Sequence, residues 1–267
     1  MDKSLPIPSI EQPQPGCCSK NDAGAPLNRA AADFSMIGRR CGTDKITHHG
    51  YHRYYPRFIE HFRTFRGGAM LEIGIDQQHS LQTWLEYYTD AFIYGIDIGV
   101  ELEGPRYTIF KADQSDLKSL ETIAKTKIQH PIFLILDDGS HIPEHQALSF
   151  NYLFSELLLP GGVYIIEDIE TSYWTKDGLY GYQTRYGYRH PNSIIELFKS
   201  LVDELNRECL TEANRNAQDR FIGDMLSAET REAVSSITFG QNCIIITKKT
   251  EEERAYDGRA YRFESHL

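Results

Sequence analysis

Ile132-Phe-Leu-Ile-Leu136 runs straight into Asp137-Asp138-Gly139-Ser140-His141, and about thirty residues later Val163-Tyr-Ile-Ile166 runs into Glu167-Asp168. Short β-branched apolar runs of this kind, separated by a helix-like stretch, read as neighbouring parallel strands of a β-α-β unit. Parallel neighbours end at the same sheet edge, about 4.8 Å apart, so three or four carboxylates meet at one spot. Their repulsion is costly unless protons or a cation relieve it. An oxygen-rich cluster favours a hard divalent ion such as Mg²⁺. His141, close beyond Asp138 in the chain, adds a base beside it.

The same alternation extends in both directions. Ala69–Ile75 reads as a first strand, Leu81–Tyr88 as a helix, Phe92–Ile98 as a second strand and Tyr107–Lys111 as a third. A helix over Leu117–Lys125 leads to the strand at 132–136. A helix over Glu144–Leu159, ended by Pro160-Gly161-Gly162, leads to the strand at 163–166. Strands regularly interleaved with helices mean an α/β doubly wound parallel sheet. Ser235–Phe239 and Cys243–Lys248 flank the short turn Gly240-Gln-Asn and read as a terminal antiparallel hairpin. Upstream, Tyr51, Tyr54, Tyr55, Phe58, Ile59, Phe62 and Phe65 fall at helical spacing and predict an amphipathic helix over Tyr51–Phe65.

Composition narrows the function classes. With 40% hydrophobic and 25% charged residues in 267, the chain can bury one sizeable core. A formal net charge of -10 without a long Lys/Arg run argues against nucleic acid, whose phosphates are bound by clustered cations. No apolar stretch approaches the roughly 18 residues of a membrane span, and the N-terminus has no secretory h-region. Cys17, Cys18, Cys41, Cys209 and Cys243 form no C-x-x-C pair, as expected of reduced thiols, so the expected location is cytoplasmic. Residues 1–33, rich in Pro and Gly, are expected to be a disordered arm, 34–250 the folded domain, and 251–267 a charged tail.

The first two strand ends carry the residues a nucleoside would need. Leu71-Glu72-Ile73-Gly74 lets backbone approach a ligand at Gly74, and Asp97, at the tip of the second strand, suits ribose hydroxyls. Asp113-Gln114, after the third strand, offers edges for an adenine amino group. Gln77-Gln78-His79 stands where a dinucleotide fold would place further glycines, which argues against a pyrophosphate cradle. Asp137 is grouped with the cofactor residues. Parallel strands finished by a hairpin resemble the sheet of class I S-adenosylmethionine (SAM)-dependent methyltransferases, a Rossmann-like plan, and a sulfonium donor needs no phosphate cradle.

Taken in order, Gly42-Thr-Asp-Lys45, His49-Gly-Tyr51, Leu71-Glu-Ile-Gly74, Ser80-Leu-x-x-Trp84, Gly95-x-Asp97 and Asp113-Gln-Ser-Asp116 resemble one family. Asp137-Asp-Gly-Ser-His141, Pro160-Gly-Gly162 and Glu167-Asp168 through Thr171-Ser-Tyr-Trp174 continue the match. That family is the macrocin O-methyltransferase-like enzymes, Mg²⁺-dependent methyltransferases acting on macrolide sugars. The resemblance implies metal ligation by Asp138, Glu167 and Asp168 and a base at His141. It implies that Thr43, Glu72, Gly74 and Ser80 hold the amino-acid part of SAM, and that Asp97, Asp113 and Gln114 hold its nucleoside. The glycine-poor loop at Asp76–His79 departs from the family pattern. Some members carry a large further N-terminal domain, which is not expected within these 267 residues.

The implied substrate is a small-molecule hydroxyl acceptor, a sugar or other vicinal diol of a natural product. Aromatics interleaved with glycines, Tyr173, Trp174, Tyr180, Tyr182, Tyr186 and Tyr188, fit a substrate flap over about 169–192. The same rings also suit a contact between copies in a homo-oligomer. A catechol-type Mg²⁺ methyltransferase, a metal-dependent hydrolase and a non-catalytic relict with a cofactor pocket are the competing classes.

Overall fold

The apolar runs become strands because each can be buried on both faces. In the computed structural model, which describes residues 26–176 and 183–256, helices α1 (Pro26–Cys41), α2 (Asp44–Thr47) and α3 (Pro56–Ile59) precede β1 (Ala69–Ile73). Helix α4 (His79–Tyr87) joins β1 to β2 (Phe92–Asp97), and the short β3 (Leu102–Gly104) turns back onto β4 (Tyr107–Lys111). Helix α5 (Leu117–Thr126) leads to β5 (Ile132–Asp137), and α6 (Pro143–Glu156) to β6 (Leu158–Glu167). Helices α7 (Ile194–Leu205), α8 (Glu212–Ile222) and α9 (Ala228–Glu232) come before the hairpin β7 (Val234–Gly240) and β8 (Cys243–Lys248), and α10 (Glu251–Ala255) follows it.

The sheet order is β3-β4-β2-β1-β5-β6-β8-β7. The five strands from β4 to β6 are mutually parallel, while β3, β8 and β7 pair antiparallel. Side chains alternate between the faces of a strand. Leu71 and Ile73 of β1 therefore pack with Leu120 and Ile123 of α5 and Phe150 and Leu153 of α6. Met70 packs into a second core with Trp84 and Tyr87 of α4, and with Phe34, Tyr51 and Tyr55. Two buried layers against one sheet make the expected doubly wound architecture, with the hairpin closing one edge. Among the described residues no helix is long and apolar enough to cross a membrane.

Several boundaries differ from expectation for identifiable reasons. The expected arm over 1–33 gives way at Pro26 to α1, because Ala30 and Phe34 are buried and Phe34 lies 5.4 Å from the Trp84 ring; residues 1–25 lie outside the described residues. The helix expected over Tyr51–Phe65 breaks into a 3₁₀ turn at Tyr51–Arg53, α3 and a second 3₁₀ turn at Glu60–Thr64. Pro56 has no N–H to continue a helix and instead starts α3. Helix α6 stops at Glu156, and Pro160-Gly-Gly162 lies within β6 as an irregularity. Ile132 pairs with Leu158, but Leu134 already pairs with Val163, so β6 carries the extra residues. The expected tail opens with α10, where Thr250 and Glu253 form a capping box; residues 257–267 are outside the described set. Helices α7 to α9 and strand β3 were not anticipated.

Candidate active site

The connections from β1 run to β2 on one side, while β5 enters on the other, so a crevice opens at the carboxyl ends of β1 and β5. Gly74 sits at its throat with φ +86°; a Cβ there would meet the Asp138 carbonyl oxygen at 2.0 Å. Only glycine allows the β1 and β5 loops to approach this closely. A cleft of about 380 Å³ opens there, lined by Gly42, Gly74, Ser80, Asp97, Asp138 and His141 among others.

Asp97 keeps the first loop in shape. Its Oδ2 accepts from the N–H of Ile75 at 2.8 Å and of Asp76 at 3.1 Å, and its Oδ1 from Gly99 at 2.7 Å and Val100 at 2.9 Å. Burial opposes its charge, yet these donors hold the carboxyl below its usual range. Gln114 and Asp137 are buried, with Gln114 packed against the cleft-lining Gly139. Gln114 donates to Asp137 at 2.7 Å and Ser149 at 3.0 Å, and accepts from the Ser140 N–H at 2.8 Å. Asp137 is fully buried, and burial pushes its carboxyl up to about 7. Through these bonds Gln114, expected like Asp137 among the cofactor residues, links Asp137 to the Asp138–His141 loop. Asp113 stands exposed after β4, its Oδ1 accepting from the N–H and the hydroxyl of Ser115.

On the amino-acid side, Thr43 is buried between the cleft-lining Gly42 and Asp44. Glu72 accepts from Ser80 Oγ at 2.8 Å and Trp84 Nε1 at 3.2 Å; burial pushes its carboxyl up to about 6.

The acids at the tips of β5 and β6 divide into two groups. Asp138 Oδ1 lies 3.2 Å from His141 Nε2, and Asp168 Oδ2 lies 3.6 Å from it. Burial alone would lower the His141 value, but the hydrogen bond to Asp138 and the charges of Asp138 and Asp168 raise it to about 9. His141 (φ +55°) and Asp168 (φ +52°) both occupy the left-handed region. Non-glycine residues there are strained, and such strain gathers where side chains must be aimed. Asp168 Oδ1 accepts from Tyr51 OH at 3.0 Å and Asn242 Nδ2 at 2.8 Å, and His49 Nδ1 is 3.5 Å away.

One ligand atom each from Asp138, His141 and Asp168 lies within 4.8 Å of the others. The two hard carboxylate oxygens of Asp138 and Asp168 fit a small divalent ion, with the His141 imidazole held beside them. Glu167, the third expected ligand, shares the Lys45 ammonium with Asp138. Its Oε1 accepts from Tyr55 OH at 2.5 Å and its Oε2 from Lys45 Nζ at 2.9 Å, so both oxygens are engaged and the side chain is sealed.

Sequence reasoning did not assign Lys45, Tyr51, Tyr55, Gln146 or Asn242. Lys45 belongs to the Gly42-Thr-Asp-Lys45 motif, but its separation from the strand tips along the chain hides its role; Gln146 donates to the Glu167 carbonyl at 3.0 Å from within α6.

No family model matches the chain. It is 36% identical over 217 residues to 8-demethyl-8-alpha-L-rhamnosyl tetracenomycin-C 2'-O-methyltransferase of Streptomyces olivaceus, covering 73% of this chain and 54% of the relative. It is 37% identical over 172 residues to demethylmacrocin O-methyltransferase of Streptomyces fradiae, covering 60% and 42%. The MycE methyltransferase of the mycinamycin pathway, solved with Mg, SAH and mycinamycin VI, superposes with a TM-score of 0.66 at 25% identity, over 85% of this chain and 57% of that one. The chain spans about half the length of the curated relatives it matches. In sequence and in fold it is a relative of the macrocin-type O-methyltransferases, built on the class I SAM-methyltransferase sheet.

Proposed function

We propose that this chain is a SAM-dependent, Mg²⁺-dependent O-methyltransferase acting on a sugar hydroxyl of a small-molecule natural product. The observation that carries this reading is the convergence of Asp138, His141 and Asp168 on the wall of the cleft that Gly74 and Asp97 open. The relatives named for O-methylation of rhamnosyl tetracenomycin and demethylmacrocin support it.

Gly74, Asp97 and Ser80 offer the donor a closely approached backbone, a braced loop and a hydroxyl beside the buried Glu72. Asp138 and Asp168 would hold the ion, whose charge lowers the pKa of a chelated hydroxyl and fixes its orientation. His141 Nε2, between the two carboxylates, is placed to take the hydroxyl proton. It does so only where the neighbouring carboxylates no longer hold it as imidazolium. Tyr51 and Asn242 keep Asp168 aimed at the cluster.

A second cavity of about 560 Å³ is lined by His49, Glu170, Tyr173, Phe239 and Asn242 among others, and His49 and Asn242 of this lining also reach Asp168. Aromatic walls beside polar groups suit a sugar ring, so the acceptor belongs there. The flap expected over 169–192 includes the Tyr173–Tyr188 ring pair, 6.0 Å apart, while Tyr180 and Tyr182 lie outside the described residues.

Calorimetric titration with S-adenosylhomocysteine, with and without Mg²⁺, followed by mass-spectrometric assay of methyl transfer to rhamnosyl and deoxysugar glycosides, tests this reading. Nucleoside binding with Mg²⁺-dependent transfer that His141→Ala loses is the expected result. Metal binding without any nucleoside binding would favour a hydrolase and end the proposal.

A further inference from the structure

Lys45, on α2, reaches the acids at the strand tips and has no task in the function proposed for them. Its Nζ is buried, 2.5 Å from Asp138 Oδ2, 2.9 Å from Glu167 Oε2 and 3.5 Å from Glu72 Oε1. An ammonium out of water is unfavourable unless paired, and here three carboxylates surround it and keep it protonated. Among the described residues no other Lys or Arg forms an ion pair with Glu72, Asp138 or Glu167.

Asp138 is shared between two sides. Its Oδ2 faces Lys45, while its Oδ1 faces His141 and the ion-binding group. We propose that Lys45 is a positioning residue, a tethered cation that balances the acid cluster when no ion is bound and sets how tightly a divalent ion is held. The proposal rests on the ion site assigned above. A fixed positive charge across the Asp138 carboxylate repels an arriving ion, so the ammonium weakens divalent binding and makes it reversible. The same ammonium holds Asp138 and Glu167 in place in the ion-free protein.

Mn²⁺ serves as the probe, read by calorimetry or paramagnetic resonance, with thermal melting in parallel. The proteins compared are wild type, Lys45→Arg, Lys45→Met and the charge-balanced double variant Lys45→Met/Glu72→Gln. Mn²⁺ should bind roughly tenfold tighter in both methionine variants, because a positive charge a few ångström from the ion is removed. Lys45→Arg should stay near wild type, and Mn²⁺ should raise the melting temperature of Lys45→Met more than that of wild type. Unchanged or weaker Mn²⁺ binding in the double variant overturns the proposal. So does failure of both methionine variants to fold with Mn²⁺ present, because the ion should then replace the ammonium. Wild type that binds no Mn²⁺ at all instead removes the ion site, and this inference with it.

Discussion

Asn242, in the turn of the terminal hairpin, donates its Nδ2 to Asp168 Oδ1 at 2.8 Å, while its own Oδ1 accepts from the Glu170 N–H at 3.0 Å. One amide thereby fixes both the carboxylate and the backbone that carries it. Its φ of +62° suits Asn or Gly at that turn position. Asn242→Gly keeps the turn and removes the side chain. It should weaken Mn²⁺ binding roughly ten- to hundredfold, as loss of a partner behind a metal ligand does, and leave S-adenosylhomocysteine affinity alone. Parallel calorimetric titrations check this; equal loss of both ligands would mean that the turn, not Asp168, was disturbed.

The contrast between two left-handed glycines gives a second expectation. At Gly74 (φ +86°) an added methyl would sit 2.0 Å from the Asp138 carbonyl oxygen, whereas at Gly67 (φ +74°) it would meet nothing within 4 Å. Gly67→Ala should cost about 1–2 kcal/mol from backbone strain alone. Gly74→Ala adds a clash that only separation of the β1 and β5 loops relieves. It should cost more and should abolish nucleoside binding, measured by denaturant unfolding and calorimetry.

Why Gly74 was legible and Asn242 was not follows from distance along the chain. Gly74, Asp97, Asp138 and Asp168 each follow an apolar strand, and a parallel sheet brings strand tips together by rule, so their meeting was written in local pattern. Lys45, Tyr51 and Tyr55 come from a segment that precedes the sheet, and only the packing of Phe34, Tyr51 and Tyr55 against α4 and the sheet carries it over the acids. Glu167 shows the limit from the other direction: its place at a strand tip is legible, but its pairing with Lys45 and Tyr55 is not. Helix α7 carries a helical pattern in Ile194, Leu197, Phe198 and Leu201, all buried, which the aromatic segment before it obscures.

His141 sets a pH dependence whose sign is fixed. With no ion bound, its folded value of about 9 lies above the ordinary 6.5. The folded state therefore holds the proton more tightly, giving stability that is fully present below 6.5 and lost as pH rises through about 9. In chelator, the stability difference between wild type and His141→Gln should shrink across that interval, read from urea midpoints. Mg²⁺ should remove this dependence, because a divalent charge on Asp138 and Asp168 disfavours the imidazolium. His141 titration near 9 in saturating Mg²⁺, followed by NMR, would contradict the base role.

Tyr173 and Tyr188 stack with centroids 6.0 Å apart, yet they are 53% and 63% exposed. Two large rings left to solvent beside the proposed acceptor cavity are unfavourable unless something covers them, and a sugar and its apolar carrier present a matching surface. Aromatic contacts of this kind are worth about 0.5–1.5 kcal/mol beyond the area they cover, which corresponds to a several-fold to tenfold change in binding. Tyr188→Ala should therefore raise KM for a glycoside acceptor by up to about tenfold while kcat and nucleoside affinity hold. The split matters because the rings also suit a contact between copies. If Tyr188→Ala leaves KM unchanged and instead shifts the sedimentation coefficient, the rings join protomers and the acceptor is held elsewhere in the cavity.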